Sequence, residues 1–155
     1  MRITTTSRYG VRAVFDVAYH GAGKPIQIKD VAKRQKISQR YLEQIFNKLL
    51  KKKILVSKRG PHGGYLLARE PSNITVKDIV EAAQGPIVPV QCLARDESLI
   101  KDRERFDTCV TRHVWAQTQK LLEEHFASVS IADLCALARK KGVSREVDST
   151  YMYFI

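Results

Sequence analysis

Two groups of side chains in this sequence are of types and spacings that could do chemistry. The first is Cys109 and His113, four residues apart and near the start of a helical pattern, so that both can point the same way as metal ligands or as a nucleophile and its base. Cys92 lies on the segment before them and can be delivered to the same place. The second group is Arg40, Glu43, Gln44 and Asn47, which recur at i, i+3, i+4 and i+7. An arginine, a carboxylate and two amides on one helical stripe are the groups that read base edges in a DNA major groove.

The second group is the easier to place. Residues 37–50 carry Leu42, Ile45, Phe46 and Leu49 at core spacing on nearly the opposite side from the polar stripe, with Ser38 at the N-cap position and Lys51 opening a lysine run. Ahead of it, residues 29–35 read as a compact helix with Val31 and Ala32 inward, and 26–28 as a short strand. Helix, tight turn and outward-polar helix make a helix-turn-helix. After it, two β-prone runs, 54–58 and 65–68, flank Arg59, Gly60, Pro61, His62 and two further glycines, which predicts a hairpin wing. Arg59 is its natural minor-groove residue, since a guanidinium suits the negative potential there. The expected DNA contacts are therefore Ser38, Arg40, Glu43, Gln44, Asn47, Lys51, Arg59, Gly60, Pro61 and His62. The plainer alternatives are a solvated helix face and glycines that only serve the turn.

Around these, Val11, Val14, Phe15, Ala18 and Tyr19 give a first helix, with Thr4–Thr6 as caps and Gly21, Gly23 and Pro25 as its stop. Thr75-x-x-Asp78 opens another helix, with Val76, Ile79, Val80 and Ala83 on one face and Gly85 past its end. Residues 86–108 have no period, are dense in both charge signs and read as a long exposed loop. From 107 a broad stripe returns: Val110, Val114, Thr118, Leu121, Leu122, His125 and Phe126, with Trp115 at its edge. The preceding helices can already cover their own core, so this face is expected to bury itself against a second copy of the chain. Ser130-x-x-Asp133 caps a last helix bearing Ile131, Leu134, Cys135 and Ala138, with Cys135 read as simply buried. The expected class is mainly α: a winged helix-turn-helix domain at 1–85, a sensory loop at 86–108, dimerisation helices at 109–142 and a tail at 143–155.

Composition agrees with a polyanion partner. The chain of 155 residues carries a net charge of +11, with 44% hydrophobic and 28% charged residues. Residues 28–69 hold 12 Lys/Arg against 2 Asp/Glu, so +10 of the excess belongs to one module. No apolar run approaches the roughly 20 residues of a membrane span, and the N-terminus lacks a signal-peptide core, so a cytoplasmic protein is expected. Three cysteines, at 92, 109 and 135, do not make a secreted disulfide framework. Catalysis is not expected: nothing orients a Cys109/His113 pair, and the glycine-rich tip lacks the Lys-Ser/Thr ending of a phosphate loop. A non-specific nucleic-acid-coating protein fits the charge but not the outward set of base-reading side chains.

The segments SRYGVRAVFDVA (7–18), ISQRYLEQIFNKL (37–49), RGPHGGYLLA (59–68) and CVTRHVW (109–115) occur in the order seen in a known family. Together they resemble the IscR/NsrR/CymR-type winged-helix transcription regulators of bacteria over nearly the whole chain. The resemblance implies a homodimer on palindromic double-stranded DNA operators, with Arg40, Glu43 and Gln44 facing bases and Arg59 in the wing.

Many members of that family hold an iron–sulfur cluster with three cysteines in the loop before the dimer helix. Cys92 and Cys109 match the outer positions, but Arg103 stands five residues clear of Cys109 and Arg8 stands where some members have a carboxylate. Where others place a histidine ligand this chain has Arg112, with His113 one residue late. A [2Fe–2S] cluster on Cys92, Cys109 and His113 would need a fourth donor, from an acidic residue of the loop or from a partner chain. Two other readings stay open: a Cys92/Cys109 thiol pair that oxidises or is the relic of a lost cluster, and a regulator that senses a metabolite or protein without its cysteines.

Overall fold

The computed structural model describes residues 3–93 and 108–146. Most of the charged loop, including Arg103, and the tail from 147 lie outside the described residues.

Helix α1 (Thr5–Gly21) is the central strut. Thr4 caps it, its hydroxyl accepting from the Ser7 N–H at 3.2 Å, and Ala22 ends it in the left-handed region. It packs against α2 (Ile28–Gln35), α3 (Gln39–Lys51), α4 (Val76–Gln84), α6 (Ile131–Lys140) and strand β2 (Gly64–Leu67). That position explains a departure from the single apolar stripe expected of it. Ala13, Val14, Val17 and Tyr19 are buried, but so are the polar Ser7, Asp16 and His20.

The helix-turn-helix is α2, the turn at 36–38, and α3. Lys36 takes a left-handed conformation at φ 53, and the Ser38 hydroxyl accepts the Tyr41 N–H at 3.3 Å, so one residue stops α2 and another starts α3. Leu42, Ile45, Phe46 and Leu49 are completely buried, as the stripe predicts. Each contributes about 1.5–3 kcal/mol of burial relative to an exposed side chain. The strand expected at 26–28 reduces to one bridge, Ile26 to Tyr65, because Ile28 already begins α2.

The wing is the antiparallel pair β1 (Leu55–Lys58) and β2, with Lys58 opposite Gly64 and Leu55 opposite Leu67. Its tip cannot take larger residues at two places. A Cβ on Gly63 would collide with the Lys58 carbonyl oxygen, and one on Gly64, at φ +159, would sit 2.5 Å from the Ile26 carbonyl oxygen.

Both capping boxes form. Thr75 and Asp78 open α4 through bonds of 3.0 and 3.2 Å, and Ser130 and Asp133 open α6 through bonds of 2.9 and 3.1 Å. Between them runs α5 (Val110–Ser128), none of whose residues is buried. Val110 and Leu121 are 84% and 66% exposed, and Val114 and Trp115 also face solvent. A Lys77–Glu123 ion pair at 2.8 Å ties α5 to α4. α6 turns back onto the head, where Ile131, Cys135 and Ala138 join the core and Tyr19 Oη donates to the Val143 carbonyl at 2.7 Å.

Candidate nucleic-acid interface and the cysteines

The exposed face of α3 carries Arg40, Glu43, Gln44 and Asn47, with Lys48, Lys51, Lys52 and Lys53 at its C-terminal end. Four contacts hold this helix in place. Tyr41 Oη hydrogen-bonds Thr6 Oγ1 at 2.8 Å, and the Tyr41 ring meets Tyr9 edge-on at 5.9 Å. Lys48 Nζ donates to the Ala83 carbonyl at 2.8 Å, which fixes α3 to the end of α4. Phe46 meets Tyr65 edge-on at 4.7 Å and 83°, which fixes α3 to the wing. On the outer face Gln39 Nε2 donates to Glu43 Oε1 at 3.0 Å. The carboxylate is thereby held along the helix with one oxygen engaged. Sequence spacing singled out Glu43 and passed over Gln39, although the i, i+4 amide–carboxylate pair is a known helix-surface motif.

Arg59, Gly60, Pro61 and His62 form the exposed wing tip beyond Lys58. Ser38 is exposed as well as capping, at the start of α3. All ten expected contact residues thus lie on the surface, on α3 and on a wing whose strand packs on α3.

The helix-turn-helix also rests on a buried charge cluster that periodicity did not reveal. Asp16 of α1 accepts from Arg34 Nε and Nη2 and from Gln35 Nε2, all on α2. Arg12 of α1 in turn donates to Gln35 Oε1 at 3.0 Å. The hint in the sequence is an acid among the otherwise apolar residues 13–19. His20, one turn further on, accepts the Glu146 N–H at Nδ1 at 3.0 Å, which requires a neutral imidazole. Burial holds His20 below its ordinary value, while Asp16 opposes that shift.

The cysteines differ in setting. Cys92 is half-buried on a short 3-10 turn (Gln91–Leu93), Cys109 is exposed and Cys135 is buried. Cys109 is the N-cap of α5 with φ −79 and ψ 94, so it lies just outside the helix that carries His113. Its thiol is held below the ordinary cysteine value by a hydrogen bond with Thr111 Oγ1 at 3.3 Å, by the Arg112 and Thr111 backbone and by the Arg112 charge. His113 is exposed on the first turn of α5. Among the described residues no three His, Cys, Asp or Glu side chains gather as a metal site. Cys92, Cys109 and His113 are donors of the right chemistry for a [2Fe–2S] cluster, but the described residues do not assemble them into a complete set.

No helix among the described residues is long and apolar enough to cross a membrane. The family described as Rrf2, iron-dependent transcriptional regulators, matches residues 3–137. The chain is 38% identical over 134 residues to Protein rrf2 of Nitratidesulfovibrio vulgaris, covering 86% of this chain and 87% of that one. It is 35% identical to the HTH-type transcriptional regulator IscR of Photorhabdus laumondii over 86% of this chain and 79% of the relative. Among solved structures, IscR of T. potens superposes with a TM-score of 0.75 at 34% identity, covering 99% of this chain and 97% of that one. CymR, the global cysteine regulator of B. subtilis, superposes at 0.71 with 29% identity, covering 88% and 98%. These relatives are regulators rather than enzymes, and the winged helix described above is theirs too: the chain belongs to the Rrf2 family of transcriptional regulators.

Proposed function

We propose that this regulator binds a palindromic double-stranded DNA operator as a homodimer, with α3 in the major groove and the wing tip in the neighbouring minor groove. The observation that carries this reading is the α3 surface. Arg40, Glu43, Gln44 and Asn47 are exposed on a helix whose opposite side is fully buried, so the polar stripe has no structural task in the described fold. Residues 1–85, buttressed by α6, act as the reading head, and within 109–142 it is α5 that acts as the dimerisation helix, through its exposed stripe. Residues 86–108 form the sensory loop. Ser38 and Lys51 contact phosphates, and Gly60, Pro61 and His62 support Arg59 at the tip. The test is binding to a selected operator against random duplex at one salt concentration, with the stoichiometry from sedimentation. Two chains per operator and a preference of about a thousandfold or more support the reading. Equal affinity for both duplexes, or one chain per site, rejects it.

For the signal, the setting of Cys109 favours thiol oxidation over a cluster. Its thiolate attacks a peroxide, taking up one oxygen as sulfenic acid and releasing water from hydrogen peroxide. The Cys92 thiol then displaces that oxygen as a second water and forms a disulfide. The comparison is made on anaerobically purified protein by absorption and iron and sulfide assay, followed by peroxide treatment. Colourless protein whose operator affinity responds to peroxide, and no longer does so in Cys109→Ala, supports the thiol reading. Coloured protein that loses iron in Cys92→Ala, Cys109→Ala and His113→Ala restores the cluster. A peroxide response unchanged in Cys109→Ala removes Cys109 from the signal, and colourless protein indifferent to peroxide leaves a metabolite or partner protein as the signal.

A further inference from the structure

A cleft of about 560 Å³ opens between α1, the end of β2 and α6, with no residue of α3 or of 86–108 in its lining. Its volume lies within the range of small-molecule sites. Its wall is apolar where α1 and β2 meet, at Val17, Ala18, Leu66 and Leu67, and the Cys135 thiol closes it from α6. Four cations stand around this apolar wall: Lys24, Arg69, Arg139 and Arg145, against the single carboxylate of Glu70. Such an excess of guanidinium groups over an apolar floor is complementary to one kind of guest.

We propose that this cleft binds a small organic anion with an apolar body, a carboxylate or a phosphate monoester, its charge held by Arg139 and Arg145 and its body by the α1/β2 wall.

The arginines are well placed for this. Arg145 is held over the Tyr19 ring at 5.1 Å, and Tyr19 fastens the same segment through its bond to Val143. Arg139 has no salt-bridge partner among the described residues, so a bound anion would supply one. Arg69 faces Asp78 at 3.6 Å with nearly half of its side chain exposed and can turn toward the cleft. Since β2 is one wall and also carries Tyr65, packed on Phe46 of α3, a guest joins α6 to the elements that carry the wing and the reading helix. Its effect on operator affinity rests on the DNA-binding reading above, whereas its binding does not.

Cys135 supplies a readout that needs no DNA. In a Cys92→Ser/Cys109→Ser variant it is the sole cysteine, and its alkylation by N-ethylmaleimide is timed with 4-phenylbutyrate, phenyl phosphate or neutral 4-phenylbutanol. One or both anions should slow the reaction saturably, by roughly fivefold or more when in excess, and the alcohol should not. The two anions tell the carboxylate guest from the phosphate ester. Arg139→Gln/Arg145→Gln should abolish the protection, and Arg139→Gln alone, which leaves the Arg145–Tyr19 contact in place, should weaken it with the melting temperature without ligand unchanged. No slowing by either anion, equal slowing by the alcohol, or protection that survives the double arginine variant overturns the proposal. So does a Cys135 freed by removal of residues 147–155 and indifferent to anions, because the occupant would then be the chain's own tail. If Cys135 resists alkylation in every form, the melting temperature decides. A rise of several degrees with an anion, absent with the alcohol and in the arginine variant, supports the site, and no rise overturns it.

Discussion

The Asp16 carboxylate of α1 is fully buried, and the Arg34 guanidinium of α2 grips it through Nε at 3.1 Å to both oxygens and Nη2 at 2.6 Å to one. The pair joins the central strut to the first helix of the helix-turn-helix.

Asp16→Ala leaves Arg34 with only the exposed Glu146 carboxylate, 3.8 Å away, and should cost about 3–5 kcal/mol of stability, read from urea denaturation. An apolar pair, Asp16→Leu with Arg34→Met, should recover much of that loss, because neither charge is then desolvated. A single variant as stable as the parent would show that the pair is not what orients α2.

Glu43 is held by Gln39, and in the proposed complex its carboxylate accepts from a cytosine N4 amine and disfavours other base edges. Glu43→Ala should relax base preference at one position of each half-site while keeping affinity for the duplex. Gln39→Ala should do the same to a smaller extent, since the carboxylate remains but is less fixed. Selection from randomised duplexes reads both. Complete loss of binding in folded Glu43→Ala, or an unchanged preference, would remove Glu43 from base reading.

Arg59→Ala should weaken operator binding by about 1–3 kcal/mol if the guanidinium enters a groove. Lys51→Ala should instead lower affinity for all duplexes alike and reduce the salt slope by about one. Titrations at several salt concentrations separate the two effects. Unchanged affinity in Arg59→Ala would return this arginine to the solvated surface.

His20 sets a pH dependence of stability. It is faced by Asp16 and Tyr19 of its own helix, Arg34 of α2, and Arg145 and Glu146 of the C-terminal segment, and burial outweighs the carboxylates to lower its value from 6.5. The unfolded chain therefore binds the proton more readily than the folded one. Its contribution is full above about pH 6.5 and is lost as pH falls through the lower folded value. Melting temperature should decline over that interval, and His20→Gln should flatten the decline. A slope identical in the variant would assign the acid sensitivity to other groups.

The stripe of Leu42, Ile45, Phe46 and Leu49 was legible because a helix repeats locally, and the caps at Thr75 and Ser130 because they are written within four residues. The wing was legible from its glycines and flanking β-prone runs. What the sequence did not show are pairings between distant positions: Asp16 with Arg34, His20 with Glu146, Lys48 with Ala83. No short-range period encodes which helix meets which. The same limit hid the return of α6 to the head, since Cys135 shows core spacing without saying whose core it joins. At the candidate interface the outward residue types were readable, whereas the Gln39 bond that fixes Glu43 emerged only with side-chain geometry.

The Val76 N–H donates to the Val129 carbonyl at 2.9 Å, and the Ile131 N–H to the Ile74 carbonyl at 2.9 Å. The chain therefore comes back, after α5, to the place where α4 began. The segment that carries α5 is thus fastened to the head where α4 begins, through residues 129 and 131. The closure entropy of such a segment grows only slowly with its length. A change in the length of that segment should accordingly cost the head and its α6 buttress little stability.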